Sequence, residues 1–211
     1  MTPRYAHARQ PRRASYDEGV IHAIVDRAMV AHVGFIAEGR PMVMPMAFAR
    51  VGAVVYLHGA SKTRIARLDE APVCLEVTRL TGLVAARSGL HHSVNYESAV
   101  IHGTARRVSG AEKARALDAI LDHLLPGRSG EVRAMNAQEE KATGVIAITI
   151  EHASAKIRNG PPADDIADQD LPIWAGVVPV VTALGQGLRD AFTAEDRPEP
   201  PSLAAARRKF A

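Results

Sequence analysis

HVGFIAEGRPMVMPMAFARVGAVVYLHG, residues 32–59, decides the fold. Three apolar runs, HVGFIA (32–37), MVMPMAFA (42–49) and VVYLHG (54–59), are separated by the short breaks EGRP and RVGA. Runs of that length, bounded by glycine-containing breaks, read as strands joined by tight turns. Gly39 and Gly52 supply the turn conformations that a residue with a Cβ resists. Strands joined this closely pair antiparallel. Pro45 cannot donate to a ladder, so it belongs at an edge, at a bulge, or where the strand turns its backbone to something else.

Upstream, Ser15 and Glu18 have capping-box spacing, and Ile21, Ile24, Val25, Ala28 and Met29 share one helical face. A helix is expected over about residues 17–30. Downstream, KTRIARLDE (62–70) reads as a short helix with Ser61 as its cap and Pro72 after its end. VCLEVTRL and GLVAAR read as a hairpin across Thr81-Gly82. A loop, SGLHHSVNY, leads into the strand ESAVIHGTARRV. Residues 111–125 form an amphipathic helix stopped by Pro126-Gly127. GVIAITIEHASAKIR is strand-like, NGPPADDIADQDLP is a polar loop, and IWAGVVPVV is extended. The pattern predicts a mainly β (α+β) fold: six to seven antiparallel strands closing into a small barrel with flanking helices. Three parts are expected: a mobile basic arm (1–14), a barrel domain (15–181), and a proline-rich, then helical tail (182–211). A Rossmann fold is excluded by the missing βα alternation and glycine fingerprint.

Hydrophobic residues make up 47% of the 211 and charged residues 23%, which is a globular balance. The net charge of +3 is unevenly placed. Arg4, Arg9, Arg12 and Arg13 precede the first acid, and from residue 17 on there are 22 basic against 23 acidic side chains. A near-neutral body and 4% aromatics argue against nucleic acid as partner, and the arm reads as a solvated tail. One cysteine, Cys74, excludes an internal disulfide and reads as a small buried side chain. The absence of a leader or a membrane-length apolar run points to a cytoplasmic protein with no membrane partner.

Candidate chemistry is sparse. GASKT (59–63) fails as a phosphate loop, because Tyr56 and Ser61 stand where that motif needs glycines. Its physical content survives. A strand end, a helix start, the hydroxyls of Ser61 and Thr63, and the cations Lys62 and Arg64 can face one phosphate. Asp164, Asp165 and Asp168 lack a companion acidic segment and read as a solvated loop. His91 and His92 are adjacent and point to opposite sides of an extended chain, so no metal site is expected. No GxSxG elbow is present.

Taken together, HVGFIAEGRPMVMPMAFARVGAVVYLHGASKTRIARL, VCLEV and HHSVNYESAVIHGTARRV resemble the pyridoxamine 5′-phosphate oxidase-like flavin proteins. Within them the nitroimidazole-resistance-related, flavin-nucleotide-binding branch is the most similar. The resemblance spans about residues 15–180. It implies a split β-barrel that binds FMN, as a homodimer with the cofactor at the interface. The backbone of Val43, Met44, Pro45 and Met46 would lie along the flavin ring. His58, Gly59, Ser61, Lys62, Thr63 and Arg64 would hold the phosphate, with Arg64 in the place of the oxidases' lysine and Ser61 or Lys62 as the substitutes in the adjacent register. Arg87 and Ser88, and the loop through Asn95, Tyr96 and Ser98, would approach the ring or the dimer mate. Trp174 resembles a late tryptophan of the oxidases. The arginine that follows it there is absent, since Ala175-Gly176-Val177 comes next, so pyridoxamine phosphate turnover is not expected. FAD is compatible, with its adenylate half along the open side of the cleft. The implied activity is a flavin-dependent oxidoreductase acting on a small molecule. The alternatives are a flavin carrier or sensor, or a barrel that binds haem or a deazaflavin. No acid or base is assigned; His91, His92 and Tyr96 are candidates by residue type.

Overall fold

The computed structural model describes residues 3–211. Strand β1 (Ala14–Ser15) precedes helix α1 (Glu18–Asp26). Asp17 caps α1, its carboxylate accepting from the Val20 amide at 2.9 Å, while Ser15 Oγ accepts from the Asp17 amide. Ile21, Ile24 and Val25 are buried on the barrel. The decisive stretch forms β2 (Ala31–Ala37), β3 (Arg40–Met46), β4 (Phe48–Val51) and β5 (Val54–Ala60). The β2–β3 turn has positive φ at both central residues, Glu38 (53°) and Gly39 (71°), as a type I′ hairpin requires.

Next come β6 (Ala71–Ala85), β7 (Ser93–Val108), α2 (Gly110–Leu124) and α3 (Ala137–Ala142). Strands β8 (Thr143–Thr149), β9 (His152–Arg158) and β10 (Gly176–Pro179) and helix α4 (Pro201–Lys209) complete the chain. Hydrogen bonding runs β3-β2-β6-β7-β8-β5-β4. Ala47 alone separates β3 from β4, so the two ends of that path are one continuous piece of chain. The sheet therefore closes on itself into a barrel. Phe48, Leu57, Leu75, Ile101, Ile146 and Ile148 fill it.

The antiparallel, mainly β class agrees with the sequence, and the strand count is ten rather than six or seven. The extra strands come from splitting. The run 42–49 breaks at Ala47, the run 144–158 breaks at Ile150-Glu151, and two short strands join the edges. The hairpin expected at Thr81-Gly82 is not formed. β6 continues through it with a register shift between Leu80 and Gly82, because β7 runs opposite its whole length. Gly82 serves close packing instead of a turn, since an added Cβ would come within 2.8 Å of Val177 Cγ1 on β10. The helix expected at 62–70 is a single 3-10 turn, Ile65–Arg67.

β7 changes partner midway, from β9 (Tyr96–His102) to β8 (Ala105–Val108). At Gly103, between the two, an added Cβ would lie 2.0 Å from the Thr149 carbonyl oxygen, so only glycine fits. The described part of the segment expected as a mobile arm (1–14) runs along the sheet here. Ala6 is buried, the Tyr5 ring stands edge-on to His102 at 4.9 Å, and β1 pairs with β9. At the other terminus α4 docks on the end of α2: Ser202 donates from its amide and hydroxyl to Glu131, and Phe210 is buried. Among the described residues no helix is long and apolar enough to cross a membrane.

Candidate functional site

The barrel is split on one side. β4 pairs with β5 through Val54–Leu57, but β3 pairs with β2 alone among the described residues. The outer edge of β3 and the second half of β5 therefore diverge. Met44 and Met46 pack against the core, while Val43 and Pro45 face outward, Val43 being 66% exposed. Pro45 is thus tolerated because it lies on an edge strand. Opposite it on β2 stands His32, whose Nδ1 is 3.6 Å from Glu76.

The far lip of the split is the turn after β5. Its amides are less available than the sequence suggested. The Ser61 amide donates to Ala142 O at 2.8 Å, and the Thr63 amide and hydroxyl both donate to Ala60 O. What remains for an anion is the Ser61 hydroxyl and the amides and side chains of Lys62 and Arg64. Arg64 reaches across the split to Glu38 at 3.4 Å, with both side chains mostly exposed. Gly59 allows the turn to fold back, since an added Cβ would meet Thr63 Oγ1 at 3.1 Å. Partial desolvation pushes the His58 imidazole below its usual pKa.

Arg87 and Ser88 lie elsewhere, past the end of β6. Asp164 clamps them. Its carboxylate is 4% exposed and accepts from the Arg87 amide (2.9 Å) and guanidinium (3.0 Å). Burial works to raise the Asp164 pKa, but these bonds and one from the Ser88 amide outweigh it and hold the carboxyl below its ordinary value. The solvated-loop expectation is corrected for Asp164: its neighbour Arg87 makes burial of the charge tolerable. Arg87 Nε and Ser88 Oγ are buried without a hydrogen-bond partner, a state that native structures avoid unless something outside the chain answers them. Trp174 stands beside this group. It is 67% exposed, its ring packs over Gly176, and Gly176 pairs with Ala85.

Asn95 and Ser98 are already engaged. Asn95, 4% exposed, donates to Gly160 O and accepts from Arg158, and Ser98 Oγ donates to Lys156 O. The Tyr96 ring lies under Lys156 Nζ at 5.7 Å. The predicted residues thus fall into two clusters. β2 meets β6 at Leu75, and Ala85 lies ten residues further along β6, roughly 33 Å of strand. Sequence reasoning missed Asp164 and the His32–Glu76 pair. It also missed α3, whose Asn136–Glu139 capping box was readable from the three-residue spacing.

An edge-split barrel with a cationic turn at one lip is the architecture of flavin-type split barrels, and the comparisons identify the family. A family model described as pyridoxamine 5′-phosphate oxidase matches residues 17–157, and the chain belongs to that family. It is 37% identical to the flavocytochrome Anf3 from Azotobacter vinelandii, over 96% of both chains, with a TM-score of 0.89. It is 34% identical to an FAD and haem binding protein from Mycobacterium smegmatis, over 92% of this chain and 97% of that one, with a TM-score of 0.88. A candidate 5-nitroimidazole antibiotic resistance protein from Bacteroides thetaiotaomicron, 23% identical over 68% of this chain and 86% of that one, shares the fold at a TM-score of 0.57. No curated protein matches.

Proposed function

We propose that this chain is a flavin-nucleotide-binding redox protein that works as a homodimer. The observation that carries the reading is near-full-length similarity, at 34–37% identity, to a flavocytochrome and to a protein described as binding FAD and haem. The second of those relatives, described as binding FAD, favours FAD over the FMN that the family resemblance implied. The local chemistry fits a flavin. The free edge of β3 at Val43–Met46 offers backbone to a ring, and Ser61, Lys62 and Arg64 offer a hydroxyl and two cations to a phosphate. A bound flavin supplies hydride or single-electron transfer at its ring. The chain's own residues hold its phosphate, shield one ring face with strand backbone, and present His58 at the cleft.

The dimer follows from separation. The Arg87–Ser88–Trp174 cluster is too far along β6 from β3 to serve the same flavin within one chain. A second copy brings it there, and the orphaned Arg87 Nε and Ser88 Oγ then find acceptors or donors. A second ligand, haem, is favoured by the same relatives. His32 would be the residue to hold it: its side chain is exposed, it pairs with Pro45, and its Nδ1 lies 3.6 Å from Glu76, so Nε2 would be left to meet a metal.

The test is the absorption spectrum of protein purified with haemin supplied, followed by acid release and chromatography of the flavin. FAD in the supernatant and a Soret band are expected, and His32→Ala should remove the Soret band while keeping the flavin. Protein that carries no flavin, and that neither binds nor is thermally stabilised by FMN or FAD, refutes the reading. A carrier or sensor would bind flavin yet pass no electrons from NADH, NADPH or a protein donor to an acceptor.

A further inference from the structure

Behind the 61–64 turn lies a second opening, a cleft of about 300 Å³. It is walled by the turn itself, by the passage from β7 into α2, and by the junction of α3 with β8. Arg107, Lys113 and Lys141 line it, one from each of β7, α2 and α3, together with Glu140, and the Asp69 carboxylate accepts from the Arg107 amide beside it. None of the three cations has an ion-pair partner among the described residues. The neighbouring Arg106, by contrast, is held by Glu112. Lys113 is held in place, its ammonium donating to Glu140 O. The floor is small and apolar. Gly144 sits so close to the turn that an added Cβ would lie 2.7 Å from Ala66 Cβ. Three cations without an ion-pair partner, brought by three elements to one concave floor, can bind a phosphate together.

Ser61 borders both this cleft and the turn that carries Lys62 and Arg64. We propose that the cleft takes the adenylate-side phosphate of FAD. The assignment rests on the flavin reading above. The two adjoining phosphates of one FAD straddle Ser61, the first on Lys62 and Arg64, the second among Arg107, Lys113 and Lys141. FMN has only the first phosphate and leaves the cleft without an anion. The cleft is therefore what makes the protein choose the dinucleotide.

Flavin-free protein is titrated separately with FMN and FAD, following flavin fluorescence. Arg107→Gln and Lys141→Gln are the primary variants, because both side chains are exposed and carry no structural bond. Thermal melting checks that each variant folds. Wild type should bind FAD more tightly than FMN. In the double variant FAD should weaken by about tenfold or more while FMN changes by less than about twofold. AMP should compete with FAD and leave FMN binding untouched. Equal losses for both flavins, or an unchanged FAD affinity, overturn the assignment. AMP binding that the variants abolish while FAD is unaffected also overturns it, and makes the cleft a site for free nucleotide. Wild type that binds FMN and not FAD refutes the cleft's role alone; wild type that binds neither refutes the flavin reading and the cleft with it.

Discussion

Two clusters hold the candidate residues, and they are built on opposite principles. At the split, Lys62 and Arg64 are solvent-exposed, and the Arg64–Glu38 pair spans the gap with most of both side chains in water. Past the end of β6, Arg87 is locked by two hydrogen bonds to a carboxylate that is almost wholly buried. An exposed pair contributes little to stability and lets go easily. A buried one is strongly oriented and cannot lose a partner without stranding the other charge. The difference would suit the proposed two-copy site, with an exposed lip open to a charged ligand and a hydrogen-bonded one preorganised to meet it.

The contrast can be broken from the buried side first. Asp164→Asn leaves Arg87 without its counter-charge and should lower Tm by roughly 5–10 °C. An unchanged Tm would mean that the clamp is no firmer than a surface pair. On the exposed side, Arg64→Ala should weaken flavin binding by about 1–3 kcal/mol with the flavin-free Tm nearly unmoved. Equal flavin affinity in this variant removes Arg64 from the phosphate site.

A third probe lies away from both clusters. His123 is buried, its Nε2–H donates to Ala28 O at 2.7 Å, and Nδ1 faces Lys209 Nζ. Burial lowers its pKa below 6.5, the Ala28 bond opposes that, and Lys209 adds to it. The unfolded chain then binds the proton more readily than the folded one. Stability from this group is complete above about pH 6.5 and falls as the pH drops toward the lowered folded value, by at most about 1.4 kcal/mol per pH unit. Urea unfolding across that range should show the slope, and His123→Gln should flatten it. Smallest of all, Glu38→Gln should shift stability by less than about 0.5 kcal/mol. A larger loss would show that the split is held shut rather than merely bridged.

The barrel was legible because its signal is local. Alternating apolar runs with Gly39 and Gly52 between them announce strands and tight turns, and β2, β3 and β5 lie close to where those runs predict them. Thr81-Gly82 misled because glycine serves turns and close packing alike, and which one applies depended on β10, nearly a hundred residues later. Asp164 misled for a similar reason. An aspartate in a Pro-rich polar stretch reads as solvated, and only the fold puts Arg87 against it, 77 residues away in sequence. The 61–64 turn was visible as a cationic cluster, but the loss of its Ser61 amide to Ala142 was not, since that partner precedes the neighbouring strand β8, about 80 residues later in the chain.

The pairing of β1 with β9 joins Ser15 to Ala155. A contact between residues so distant in the chain closes late, because most of the intervening loop entropy must first be lost to other structure. During synthesis the N-terminal residues leave the ribosome first, yet they have no strand to join until residue 158 has emerged. A chain cut before β9 would therefore leave β1 without its partner strand and its four N-terminal arginines undocked.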